Sequence, residues 1–178
     1  MIRLFASNNK TDLFAWAEQL SEMEYRQFVP WHIQQRSVRR VDLMLEYWKN
    51  LTHTNPDPNW TPEEELQVSI QGDIGEHGWC LFTGQELPPM EGAPGRWDTA
   101  CRHQVRCATK RGYRLLVQKW NHSDDIYIHT VWEQPWLYIY GYAWGWEVQQ
   151  DKYFDRSLPR PAYLLPNEEL HPIARLVN

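Results

Sequence analysis

The chain has 178 residues, enough for one domain with a real core and some decoration and too few for two large domains. Its 18 cations and 23 acids give a formal charge of −5, which argues against indiscriminate coating of nucleic acid, and no apolar run approaches the roughly 20 residues that span a bilayer. Met1 to Lys10 lacks the features of an export signal, and three cysteines argue against a disulfide framework. A cytoplasmic, non-membrane protein is therefore expected.

In chain order, residues 11–49 read as helical. Leu13, Ala17 and Leu20, then Val41, Leu45 and Trp48, recur at helix spacing, with a break at Pro30. Arg36, Arg39 and Arg40 read as a solvated helix face. Residues 50–59, with Pro56 and Pro58, look like a linker, so residues 1–60 are expected to form a helical extension and residues 61–178 the α/β core. Thr61-Pro62-Glu63-Glu64-Glu65 is a strong helix start: a hydroxyl cap, proline at the first position and acids in the first turn. In the helix that follows, Gly72, Gly75 and Gly78 cost helix propensity and call for close approach to a sheet. Asp73 and Glu76, a turn apart, are placed to project toward that sheet's edge.

Beyond a loop at residues 88–95, residues 97–109 and 114–119 read as strands with a turn near Arg111-Gly112. A continuous strand would put Asp98, Ala100, Arg102, Gln104 and Arg106 on one face; a hairpin near Cys101 would instead pair Asp98 back toward Gln104. Residues 126–132 and 136–143 are two more strands. Regular alternation in the second aligns Trp136, Tyr138, Tyr140 and Tyr142 on one face, a surface suited to core packing, a homo-oligomer or protein partner, or base stacking. The tail from Pro159 to Pro172 is extended and punctuated by proline.

Residues 96–119 hold seven cations against one acid, Asp98, while the rest of the chain holds 11 cations against 22 acids. Such asymmetry suits a local polyanion site, with Arg102, Lys110, Arg111, Arg114 and Lys119 as candidate DNA contacts. Phosphodiester hydrolysis needs a divalent cation, and Mg²⁺ takes one or two carboxylates with further oxygen ligands. Glu76 and Asp98 meet that minimum. Gln104 offers an amide oxygen, Val105 a carbonyl, and Arg106 a cation for phosphate or developing charge. A zinc site from Cys80, Cys101, His103 and Cys107 lacks a Cys-x-x-Cys pair, and a Cys107–His103 nucleophile lacks a nucleophile turn.

The order of these elements, a helix with Glu76, then Asp98, Gln104-Val105-Arg106, Leu115-Leu116-Val117, Asp125-Ile126-Tyr127-Ile128, Ile139-Tyr140-Gly141-Tyr142, Tyr163-Leu164-Leu165-Pro166 and Leu170-His171-Pro172, resembles the PD-(D/E)xK nuclease-like superfamily, its small phage-type members above all. The resemblance covers roughly residues 61–175. It implies a central mixed β-sheet flanked by helices, a restriction-endonuclease-like core, with Glu76 as the helix acid, Asp98 as the metal-binding aspartate and Gln104-Val105-Arg106 in place of the acid-x-lysine triplet. The implied activity is Mg²⁺- or Mn²⁺-dependent cleavage of DNA. Two departures bear on it: Gln104 removes an anionic ligand, and Arg106 cannot serve as a base at neutral pH. The alternative expectation is a non-catalytic nucleic-acid-binding or protein-interaction module, such as a phage structural or assembly component, on the same fold.

Overall fold

The computed structural model describes residues 25–50, 61–90 and 103–177, with the side chains of residues 47–50 left aside. Strand β1 (Tyr25–Phe28) precedes helix α1 (Trp31–Asn50) and helix α2 (Pro62–Thr83). Strands β2 (His103–Ala108), β3 (Leu115–Gln118), β4 (Ile126–Glu133) and β5 (Trp136–Trp144) follow. A single helical turn, α3 (Gly145–Val148), then leads to β6 (Phe154–Asp155) and β7 (Ala162–Leu165). The architecture is mixed α/β, with a four-stranded sheet in the order β1-β5-β4-β2 and a three-stranded sheet in the order β3-β7-β6. In the larger sheet β1 and β4 run antiparallel to β5, and β2 runs parallel to β4. The smaller sheet is antiparallel throughout.

Helix α2 begins as its sequence dictates. Thr61 Oγ1 accepts from the Glu64 N–H at 3.2 Å while a Glu64 carboxylate oxygen accepts from the Thr61 N–H at 2.8 Å, a reciprocal box that satisfies two otherwise orphaned donors. Two of its three glycines, Gly75 and Gly78, make the expected close approach to the sheet, whereas a Cβ on Gly72 would meet nothing within 4 Å. A Cβ on Gly75 would stand 2.7 Å from Cys107 Cβ, and one on Gly78 would stand 2.5 Å from Leu137 Cδ2, so the helix lies directly on β2 and β5. Ile74 and Trp79 of α2 join Val29, Ile33, Val105, Ile128, Leu137 and Ile139 in the larger core. The smaller core, Leu115, Val117, Tyr127, Ala143, Val148 and Leu165, fills the opposite side of β4 and β5.

Three expectations need correction. Tyr25–Phe28 is not helical but an edge strand paired with β5, so part of the expected N-terminal extension belongs to the main sheet; residues 11–24 lie outside the described residues. The aromatic face of β5 is not continuous. Pairing of Thr130 with Ile139 and of His129 with Gly141 leaves Tyr140 unmatched, a β-bulge that resets the alternation. Tyr142 therefore packs on the larger core with Leu137 and Ile139, and β5 lies between two partner strands. The third is the direction of Asp73 and Glu76. Both bond toward α1, not toward the sheet.

Candidate functional site

Alternation along β2 sends Val105 and Cys107 toward α2 and Gln104 and Arg106 to the other face. There the Arg106 guanidinium donates to Gln104 Oε1 at 3.2 Å and to the Val105 carbonyl at 3.1 Å, and lies 5.3 Å above the Tyr127 ring. Gln104 is buried and Arg106 half-buried. The parallel register places Arg106 beside His129. His129 Nε2 lies 2.9 Å from the Tyr113 carbonyl, which fixes the ring proton on that nitrogen, and burial lowers its pKa. The triplet is thus a built unit in which a cation faces a neutral amide oxygen.

The helix acid sits in different company. Arg40 of α1 donates to Glu76 at 2.8 Å and to Asp73, and its Nε–H donates to the Pro89 carbonyl at 3.0 Å. Burial works against the charged Arg40, but Asp73 and Glu76 outweigh it and hold its pKa above the ordinary value. Behind this pair, fully buried His77 accepts from Arg36 Nε–H on Nε2 at 3.2 Å. Its Nδ1 lies 2.9 Å from both the Asp73 carbonyl and Asp73 Oδ2, and 3.3 Å from Ser37 Oγ. Ser37 and Asp73 thus meet the same ring nitrogen, so the three do not form a serine–histidine–aspartate relay, in which base and orienting acid use opposite nitrogens. A groove of about 140 Å³ beside Asp73 and Glu76 is lined by Val41, Met44, Leu45, Ser69 and Gly72. Arg36, Ser37, Arg40 and His77 were not anticipated as a cluster. Their signal was the four-residue spacing of Arg36 with Arg40 and of Asp73 with His77, which puts each pair on one helix face.

Of the sequence-predicted residues, the structure brings Gln104 and Arg106 together and directs Glu76 to α1. Asp98 and Arg102 lie outside the described residues. Among the described residues no group of three His, Cys, Asp or Glu side chains could hold a metal ion. Cys80 is buried, and burial against Gly75 pushes the Cys107 thiol up to about 11, which removes it as a nucleophile at neutral pH. Lys110, Arg114 and Lys119 are exposed. Arg111 instead chelates both oxygens of Glu133 at 3.0 Å and lies 3.9 Å above the Tyr138 ring. Among the described residues no helix is long and apolar enough to cross a membrane. In comparison with known proteins, the chain matches no family model, no curated protein and no solved structure.

Proposed function

We propose that this protein acts on DNA as a divergent metal-dependent nuclease built on a restriction-endonuclease-like core. The observation that carries the reading is the pairing of Gln104 with Arg106 on one face of β2, with the exposed cations Lys110, Arg114 and Lys119 in the segment that follows. In this reading Arg106 holds a phosphate oxygen, and the three exposed cations hold flanking phosphates. Glu76 is committed to Arg40, so in this reading it is the amide oxygen of Gln104, and not the helix acid, that turns toward the cation. That oxygen fits Mg²⁺ or Mn²⁺ only with Asp98 supplying negative charge. Bound there, the metal would polarise a phosphoryl oxygen and lower the pKa of a water.

A specific observation favours a second reading, a non-catalytic DNA-binding module: Arg106 donates to two of the oxygens, Gln104 Oε1 and the Val105 carbonyl, that a metal site would use. Incubation of end-labelled single-stranded, duplex and branched DNA with Mg²⁺ or Mn²⁺, using wild type and Asp98→Asn, separates the two. Cleavage by wild type that is lost in Asp98→Asn supports the nuclease. Binding without cleavage, and without cation uptake by calorimetry, leaves the module.

A further inference from the structure

In β3, Leu115 and Val117 are buried, and Leu116 between them is exposed. Exposed Arg114 precedes the strand, and exposed Lys119 and Trp120 follow it. The register aligns Gln118 with Ala162 and Ala162 with Asp155, so the chain leaves β3 at the same sheet end where residues 156–161 join β6 to β7. Arg156 and Arg160 in that connection are also exposed. Lys119, Arg156 and Arg160 are the exposed cations of this end, with one acid, Asp155, in the β6–β7 connection and an exposed acid, Asp124, four residues after Trp120. Asp155 accepts from the Ser157 N–H at 2.8 Å and from its hydroxyl at 2.6 Å.

Trp120 stands 68% exposed on a loop that is firmly built. Asn121 Oδ1 accepts from the Gln118 N–H at 2.8 Å, Gln149 Nε2 donates to the Asn121 carbonyl at 2.7 Å, and the Trp146 N–H donates to the Ser123 carbonyl at 2.8 Å. Gly145 permits that last contact, because a Cβ there would collide with the His122 carbonyl oxygen. The backbone that carries the indole is fixed by these bonds, and the ring itself stands open to solvent. Flanked by cations, it has the two components that bind unpaired nucleotides: a π-face for a base and charge for the backbone.

We propose that this end of the smaller sheet is a track for single-stranded DNA, on which Trp120 stacks an unpaired base while Lys119 and Arg156 hold neighbouring phosphates. The inference rests on the reading of the protein as DNA-acting and narrows its substrate to strands with unpaired bases, since a duplex hides its base faces from a ring on a surface loop.

Fluorescence anisotropy of the full chain without divalent metal tests it, with a labelled oligothymidylate and a labelled duplex of equal length at low and at physiological salt. The single strand should bind more tightly than the duplex. Trp120→Ala should weaken single-strand binding about tenfold while leaving duplex binding unchanged, and Trp120→Phe should recover most of the loss. The double substitution Lys119→Ala with Arg156→Ala should make the salt slope shallower by about 1.4, the single-strand value for two phosphate contacts. Equal affinity for both forms, or a Trp120→Ala protein that binds the single strand like wild type, overturns the track. Because no metal is present, this outcome is independent of the cleavage assay on Asp98→Asn, and single-strand binding without cleavage would leave the track standing while the nuclease reading fell.

Discussion

Arg40 is balanced by Asp73 and Glu76, and its removal would leave two carboxylates between helices without their cation. Breaking a fully buried pair from one side costs about 3–5 kcal/mol; with 15% of the Arg40 side chain exposed, Arg40→Met should cost about 2–3 kcal/mol in urea unfolding. Combining Arg40→Met with Asp73→Asn and Glu76→Gln should recover part of that loss, because no unpaired charge then remains. His129 gives a second residue-level prediction. Its folded pKa lies below the unfolded value near 6.5 because the ring is desolvated. At pH values between the two, the unfolded chain binds the extra proton, so the stability that the neutral ring contributes is complete above about pH 6.5 and is lost as pH falls toward the folded pKa. The limiting slope is about 1.4 kcal/mol per pH unit for one histidine. Urea midpoints measured from pH 7.5 down to 5 should fall less steeply in His129→Gln than in wild type. At this scale the sequence was legible where periodicity alone decides, as in the shared face of Gln104 and Arg106. It was not legible at Arg40, because an arginine pair on a helix reads as solvated until the acids 33 and 36 residues away are placed opposite it.

Among the elements, α2 offers a paired test of its glycines. A Cβ added to Gly75 would stand 2.7 Å from Cys107 Cβ, whereas nothing lies within 4 Å of one added to Gly72. Helix propensity alone favours alanine over glycine by about 1 kcal/mol at either site. Gly72→Ala should therefore raise the melting temperature, and Gly75→Ala should lower it, since overpacking costs about 1–3 kcal/mol. The start of this helix and its glycine-faced packing were readable because cap chemistry and propensity cost are local. β1 was not. Its four residues, Tyr25 to Phe28, are extended by pairing with residues Trp136 to Ile139, more than a hundred positions downstream. The bulge at Tyr140 was hidden for a related reason. Alternation predicts faces only for a regular strand, and nothing local to Tyr138-Ile139-Tyr140-Gly141 forces the extra residue.

For the molecule as a whole, the DNA binding proposed above should weaken linearly on a logarithmic salt scale, as counterion release requires, despite the negative net charge. Arg111→Ala should leave that slope unchanged, because Arg111 is engaged with Glu133 and Tyr138, and should instead cost about 1 kcal/mol of stability, the sum expected of an exposed ion pair and a cation–π contact. Arg114→Ala should do the reverse. The mixed α/β class and most strand positions were thus legible from the pattern of elements, whereas which cations are engaged with protein partners and which stand exposed depends on tertiary neighbours.

Adjacent residues of β4 belong to different cores, Tyr127 to the smaller and Ile128 to the larger, and Ala143 and Tyr142 repeat the division in β5. Among the described residues the two cores therefore share β4 and β5, so loosening one withdraws support from the other. Amide-exchange protection in β3 and β7 should match that in β2 and β5, and melts followed by tryptophan fluorescence and by far-ultraviolet circular dichroism should trace one and the same curve.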